Sequence, residues 1–150
     1  MKLPQDLKDF IELLNSHNCQ YLMIGGWAFN YYADARPTGD FDFFVPISDK
    51  SERDIRNVLI DFGFESVVPD QSVALLKREK VIMLGRKPLR IDIITDIDGV
   101  SFQEAWDSKV QANLDGVKTH IISKELLVKN KSSTGRDKDM RDVSMLQNLD

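Results

Sequence analysis

Two aspartates stand one residue apart in "DFDFFV", and the residues around them suit a packed strand. In a strand, Asp40 and Asp42 project to the same side while Phe41 and Phe43 take the other. Carboxylates so placed repel one another, and burying them is costly unless a cation or a proton lies between them. A third aspartate, Asp92 in "LRIDII", is flanked by isoleucines and can join the pair if the two strands are neighbours. Three hard oxygen donors suit Mg²⁺, which takes carboxylates, waters and substrate phosphates as ligands. Two such ions about 4 Å apart would clamp the attacking and leaving oxygens of a phosphoryl displacement. Upstream, Gly25-Gly26 lies between a strand end and a helix start, where free N–H groups favour anions and glycine admits a phosphate close to the backbone. A metal–triphosphate complex needs both an anion cradle and a metal-binding pair.

Each feature also has a plain structural reading. Gly-Gly can be a tight turn, Asp-x-Asp a solvent-facing stripe, and Asp92 a partner for Arg90 or Lys87 at the surface. Asp96 and Asp98 share strand parity with Asp92 but lie nearer a turn, which leaves Asp92 ahead. "TDIDG" is a poor calcium loop, because its glycine is misplaced and Val100 stands where a ligand belongs. His17 and His120 have no spaced partners, no His-Cys cluster serves zinc, and Ser132 and Ser133 have no visible base. Lys131, Arg136 and Lys138 are either helix-end cations or groups that offset charge on a triphosphate. Most of Trp27, Phe29, Tyr31 and Tyr32 should be core, with one free to stack on a base.

The elements that must position these residues follow from periodicity. "LPQDLKDFIELLNSHN" reads as a helix with Leu7, Phe10, Ile11 and Leu14 on one face, and "QYLMI" as a buried strand. "WAFNYYADA" is the helix after the glycines, "ARPTG" a loop and "DFDFFVP" the second strand. Ser48 caps a helix that Gly63 ends. "FESVV", "SVALLKR", "KVIMLG" and "PLRIDIIT" are strand candidates. A short helix opens at Ser101, a hairpin turns at Asp115-Gly116, and Ser123 caps a helix to about Lys131 before the final helix. The order predicts an α+β fold, a mixed sheet with helices mainly on one face, in a single domain over residues 1–150.

Composition agrees with a globular chain: 42% of residues are apolar and 29% charged. No run reaches the length of a membrane span. An N-terminus that meets charge at once and a lone cysteine, Cys19, predict a cytoplasmic protein without a disulfide. The net charge of −4 argues against bulk electrostatic attachment to nucleic acid. Locally, however, Lys77 to Arg90 holds six cations against one anion, a solvated hairpin or a face that meets a polyanion.

The constellation resembles the polymerase-beta-like nucleotidyltransferase superfamily: a strand, Gly25-Gly26, a helix, Asp40-x-Asp42 and a lone Asp92 between apolar residues. Arg36 and Thr38 in "RPTGDFDFFV" resemble the Arg-x-Thr that often precedes the acidic pair. Lys131 and the Gly135, Arg136, Lys138, Asp139 element resemble a small bacterial group that includes AbiEii-type toxins. Gly-Gly-Trp looks like lincosamide and aminoglycoside nucleotidyltransferases. The resemblance implies a nucleotidyltransferase fold and Mg²⁺-dependent transfer of a nucleoside monophosphate from a nucleoside triphosphate to a hydroxyl acceptor (RNA, protein or small molecule). Asp40, Asp42 and Asp92 would be catalytic metal ligands. Gly25, Gly26, Arg36, Thr38 and Lys131 would hold the nucleotide. Gly26 departs from the serine many members carry, and the long helical acceptor-binding domain of many relatives is not expected here. A homodimer or an antitoxin-type partner is compatible with this reading, as is a non-catalytic nucleotide- or partner-binding module of a toxin–antitoxin-like system.

Overall fold

The computed structural model describes residues 2–34, 39–86 and 89–149. Among them the strands β1 (Leu22–Ile24), β2 (Asp40–Phe44), β3 (Ile82–Arg86), β4 (Leu89–Ile94), β5 (Val110–Leu114) and β6 (Val117–Ile121) form one mixed sheet in the order β3-β4-β2-β1-β6-β5. β2 runs parallel to β4 and antiparallel to β1, so two segments distant in sequence lie side by side at its centre. The fold is α+β, as the element order predicts, with helices α1 (Gln5–Ser16), α2 (Gly25–Ala33), α3 (Asp49–Asp61), α4 (Phe102–Asp107), α5 (Lys124–Thr134) and α6 (Asp137–Gln147).

Alternation along the central strands divides their two faces. Phe41, Phe43, Ile91 and Ile93 are buried, and Phe10 of α1 meets Phe43 at a ring separation of 5.4 Å. Trp27, in the first turn of α2, stacks on Phe41 at 4.7 Å, so this aromatic belongs to the core. Cys19 is buried as well, and desolvation pushes its thiol up to about 12, which leaves it an inert filler.

Local signals fix most boundaries. Ser48 and Ser123 accept from backbone N–H groups of their first helical turns, and Ser101 forms a reciprocal capping box with Glu104. Asp115 and Gly116 both take positive φ at the β5–β6 turn, as a tight hairpin requires.

Two predicted strands are absent. "FESVV" contains a 3₁₀ turn, Glu65–Val67, and "SVALLKR" is irregular. The first closes its bonds locally, from Val67 to Phe64 and from Val68 to Glu65, while backbone groups from Pro69 to Leu76 find partners on α3 instead. Glu52 accepts from the N–H groups of Leu75 and Leu76, while Arg56 donates to the carbonyls of Pro69 and Val73. Two helical side chains thus do the work of a strand ladder, which apolar spacing does not announce. No helix among the described residues is long and apolar enough to cross a membrane.

Candidate active site

The site is built on the register of β2 and β4. Asp42 lies directly opposite Asp92, and Asp40 directly opposite Arg90. In-register neighbours share a face, so Asp40, Asp42, Arg90 and Asp92 all project from one side of the sheet. The sequence therefore brings the three predicted carboxylates together, through a parallel pairing with α3 as the crossover.

β1 supplies the other half. Its last residue, Ile24, is the register partner of Asp42, and the chain then turns at Gly25 with φ +66° into α2. A Cβ on Gly25 would lie 3.2 Å from Cγ of Asp42 and closer still to Oδ2. The backbone thus approaches the carboxylate as nearly as a residue without a side chain allows. Among the described residues no side chain caps the start of α2 at Ile24, and the N–H groups of Gly25 and Gly26 stand at the positive end of the helix, where an anion is favoured.

The electrostatics are strained. Asp42 has its pKa pushed up to about 6, first by burial and then by the charges of Asp92 and Asp40. Arg90 offsets part of this. Its Nε and Nη2 donate to Oδ1 and Oδ2 of Asp92 at 3.0 and 3.1 Å, and Nη2 lies 3.6 Å from Asp40. Of the two surface partners the sequence offers Asp92, Arg90 does pair with it, but Asp92 itself is buried, and Lys87 lies outside the described residues. Among the described residues no group of three or more histidine, cysteine or acidic side chains is arranged to hold a metal ion unaided. Mg²⁺ asks for less, since one or two carboxylates with waters and substrate phosphates suffice. Asp40 and Asp42, hard oxygen donors on one face of β2 with Asp42 against the start of α2, fit that requirement.

Lys131 reaches the same cleft from the last turn of α5. It is 8% exposed, lies 2.8 Å from Asp142 and 3.5 Å from Asp139, and sits over the ring of Phe29. Asp139 is held below its usual carboxylate value despite its burial, because Thr134 and Arg136 donate to it and Lys131 lies near. Gly25, Gly26, Asp42 and Lys131 line one cleft of about 450 Å³ together with Phe29 and Met145. A smaller space of about 260 Å³ adjoins it and adds Asp96 and Asp98. Both aspartates are exposed, and Asp96 pairs with Arg78 at 3.3 Å, in keeping with the subordinate place their turn gives them. A larger cleft of about 720 Å³ lies beside α3, lined by the Arg56 and Glu52 that pin the irregular segment, away from these carboxylates.

Arg36 and Thr38, predicted to touch the nucleotide, lie outside the described residues. Sequence reasoning did not give Arg90 or Asp142 a place in the site. Arg-x-Asp in a strand could have pointed to the first, because residues two apart share a face. Asp142 meets Lys131 only through the turn between α5 and α6, for which spacing gives no signal.

No family model matches the chain, and no curated protein matches it. Solved structures do. The lincosamide antibiotic adenylyltransferase LnuA, solved with lincomycin bound, is 15% identical with a TM-score of 0.60, covering 99% of this chain and 98% of that one. A candidate nucleotidyltransferase from Thermotoga maritima is 15% identical with a TM-score of 0.62, covering 96% and 91%. An antigenic nucleotidyltransferase-like protein from Paracoccidioides brasiliensis is 16% identical with a TM-score of 0.57, covering 95% and 73%. At these identities the likeness is one of fold: the chain has a nucleotidyltransferase-like fold.

Proposed function

We propose that this chain is a Mg²⁺-dependent nucleotidyltransferase that moves a nucleoside monophosphate from a nucleoside triphosphate to a hydroxyl acceptor, releasing pyrophosphate. The observation that carries the reading is the juxtaposition of Gly25, Asp42 and Asp92 across three adjacent strands, with Gly25 and Asp42 lining one cleft and Asp92 in register beside Asp42.

In this reading Asp40 and Asp42 hold the metal-bound triphosphate, and the N–H groups at the start of α2 bind its β- and γ-phosphates. When bound, Mg²⁺ would neutralise phosphate charge and polarise the reacting centre. Lys131 offsets charge on the leaving pyrophosphate, and Arg36 and Thr38 add contacts to the nucleotide. Asp92 takes a second ion or accepts the proton of the acceptor hydroxyl. Catalysis on this plan is alignment and electrostatic stabilisation, with no covalent enzyme intermediate.

Of the possible acceptors, a small hydroxylated molecule is favoured by the likeness to lincomycin-bound LnuA over nearly the whole of both chains. The toxin-like role, a dimer and an antitoxin-type partner rest on the sequence resemblance alone. A second reading, a nucleotide-binding module without turnover, draws on the Arg90–Asp92 pair, because a carboxylate so engaged is no base. The deciding experiment is a screen for α-phosphate label transfer from each nucleoside triphosphate onto small hydroxylated molecules, RNA and protein. Transfer that disappears in Asp42→Asn supports the enzyme; nucleotide binding without transfer to any acceptor supports the module.

A further inference from the structure

Arg90 lies against two carboxylates of the cluster, Asp92 at 3.0 Å and Asp40 at 3.6 Å. It and Asp92 are two residues apart on β4 and face the same way, and Asp40 stands opposite Arg90 on β2. Both oxygens of Asp92 accept charged N–H groups, at 3.0 and 3.1 Å. A carboxylate held in this bidentate manner has its best lone pairs engaged and is poorly placed to ligate a metal or to accept a proton. Of the cations that line the cleft, Lys131 pairs with Asp139 and Asp142, and Arg136 with Asp139.

The two partners differ in freedom. The Asp92 side chain is 9% exposed, whereas that of Arg90 is 32% exposed. Across β3, the register partner of Arg90 is Gly85, which sets no side chain beside the arginine stem. The guanidinium can therefore leave toward solvent while the carboxylate stays.

We propose that Arg90 is a positioning residue that acts as a removable counter-ion: it neutralises Asp92 and Asp40 in the metal-free protein and leaves Asp92 when a divalent cation binds. The third carboxylate then becomes available only to a loaded site. This rests on the metal-binding reading above and assigns the regulation of that same cluster.

The test uses the full chain with Mg²⁺ or Mn²⁺ alone as probe. In wild type, the Arg90 Nε–Hε signal should be sharp and protected in EDTA, and should shift or exchange away as Mg²⁺ saturates the site. By calorimetry, Arg90→Gln should bind Mn²⁺ about tenfold more tightly than wild type, the scale on which a neighbouring charge alters the affinity of a carboxylate for a cation. Arg90→Lys, which keeps the charge without the bidentate fork, should fall between the two. An Arg90 signal unmoved at saturating Mg²⁺, or equal Mn²⁺ affinity in wild type and Arg90→Gln, overturns the inference and leaves metal binding intact. Failure of wild type to bind Mn²⁺ at all, with or without a triphosphate analogue, overturns the metal reading as well. Should Arg90→Gln fail to fold, the wild-type signal decides.

Discussion

Gly25 rests against the carboxylate of Asp42, so closely that a methyl group at position 25 would overlap Oδ2. The contact joins the end of β1 to the centre of β2 and sets the start of α2 beside the carboxylate pair proposed to hold the metal.

Gly25→Ala should therefore harm both stability and function. The left-handed backbone alone costs about 1–2 kcal/mol with a side chain, and the overlap displaces Asp42. The melting temperature should fall by several degrees, and Mn²⁺ binding should weaken in whatever fraction remains folded. Gly116→Ala, at a positive φ with open space around it, isolates the backbone cost. It should lower stability without touching metal binding, and equal effects of the two substitutions on Mn²⁺ affinity would contradict the assignment.

Asp42 should leave a signature in the pH dependence of the metal-free protein. Its carboxyl titrates near 6 when folded against an ordinary value of 3.8. The folded state thus binds the extra proton between those values. The contribution is fully present below about pH 4 and is lost as pH rises through about 6, at most on the order of 3 kcal/mol. Other groups, such as Glu52 and Asp139, are shifted downward and act oppositely. The informative quantity is the difference between wild type and Asp42→Asn in urea unfolding with EDTA. Wild type should lose stability relative to the variant across this window, and a flat difference would refute the charge crowding.

Lys131→Met should weaken nucleotide binding by about tenfold or more, the loss of one charge-assisted contact. Binding of Mn²⁺ alone should be nearly unchanged. Because Asp142 loses its 2.8 Å partner, stability should also fall, by about 1–3 kcal/mol. Unaltered nucleotide affinity in the folded variant would confine Lys131 to a structural task between α5 and α6.

Arg56→Met separates fold from site. Arg56 is buried and holds Glu52 and the carbonyls of Pro69 and Val73. Removing it should cost about 3 kcal/mol, measured by urea unfolding, while the thermal shift produced by Mg²⁺ with nucleotide stays the same size. Loss of that shift would tie the 69–76 segment to the candidate site.

The shared face of the three aspartates, the Gly25 turn and most helices are legible because each has a local signal: strand parity, a glycine pair between an apolar strand and a helix, a capping serine or an apolar face of period 3.6. What was not legible depends on side chains that act at a distance. "SVALLKR" has the apolar content of a strand, yet Glu52 and Arg56 take its backbone groups from α3. Arg90 lies within two residues of Asp92, but its place between two carboxylates appears only when β2 is paired in register and Asp40 arrives on its other side. Lys131 was a candidate from its type and place. Its burial against Asp139 and Asp142 required the α5–α6 turn, which no spacing in the sequence reports.

Calorimetric titration of a non-hydrolysable nucleoside triphosphate, in Mg²⁺ and in EDTA, tests the carboxylate cluster most directly. Wild type should bind the nucleotide only when Mg²⁺ is present, and folded Asp42→Asn should not bind it in either condition. Binding of equal strength in EDTA, or an Asp42→Asn protein that binds as wild type does, would contradict the account.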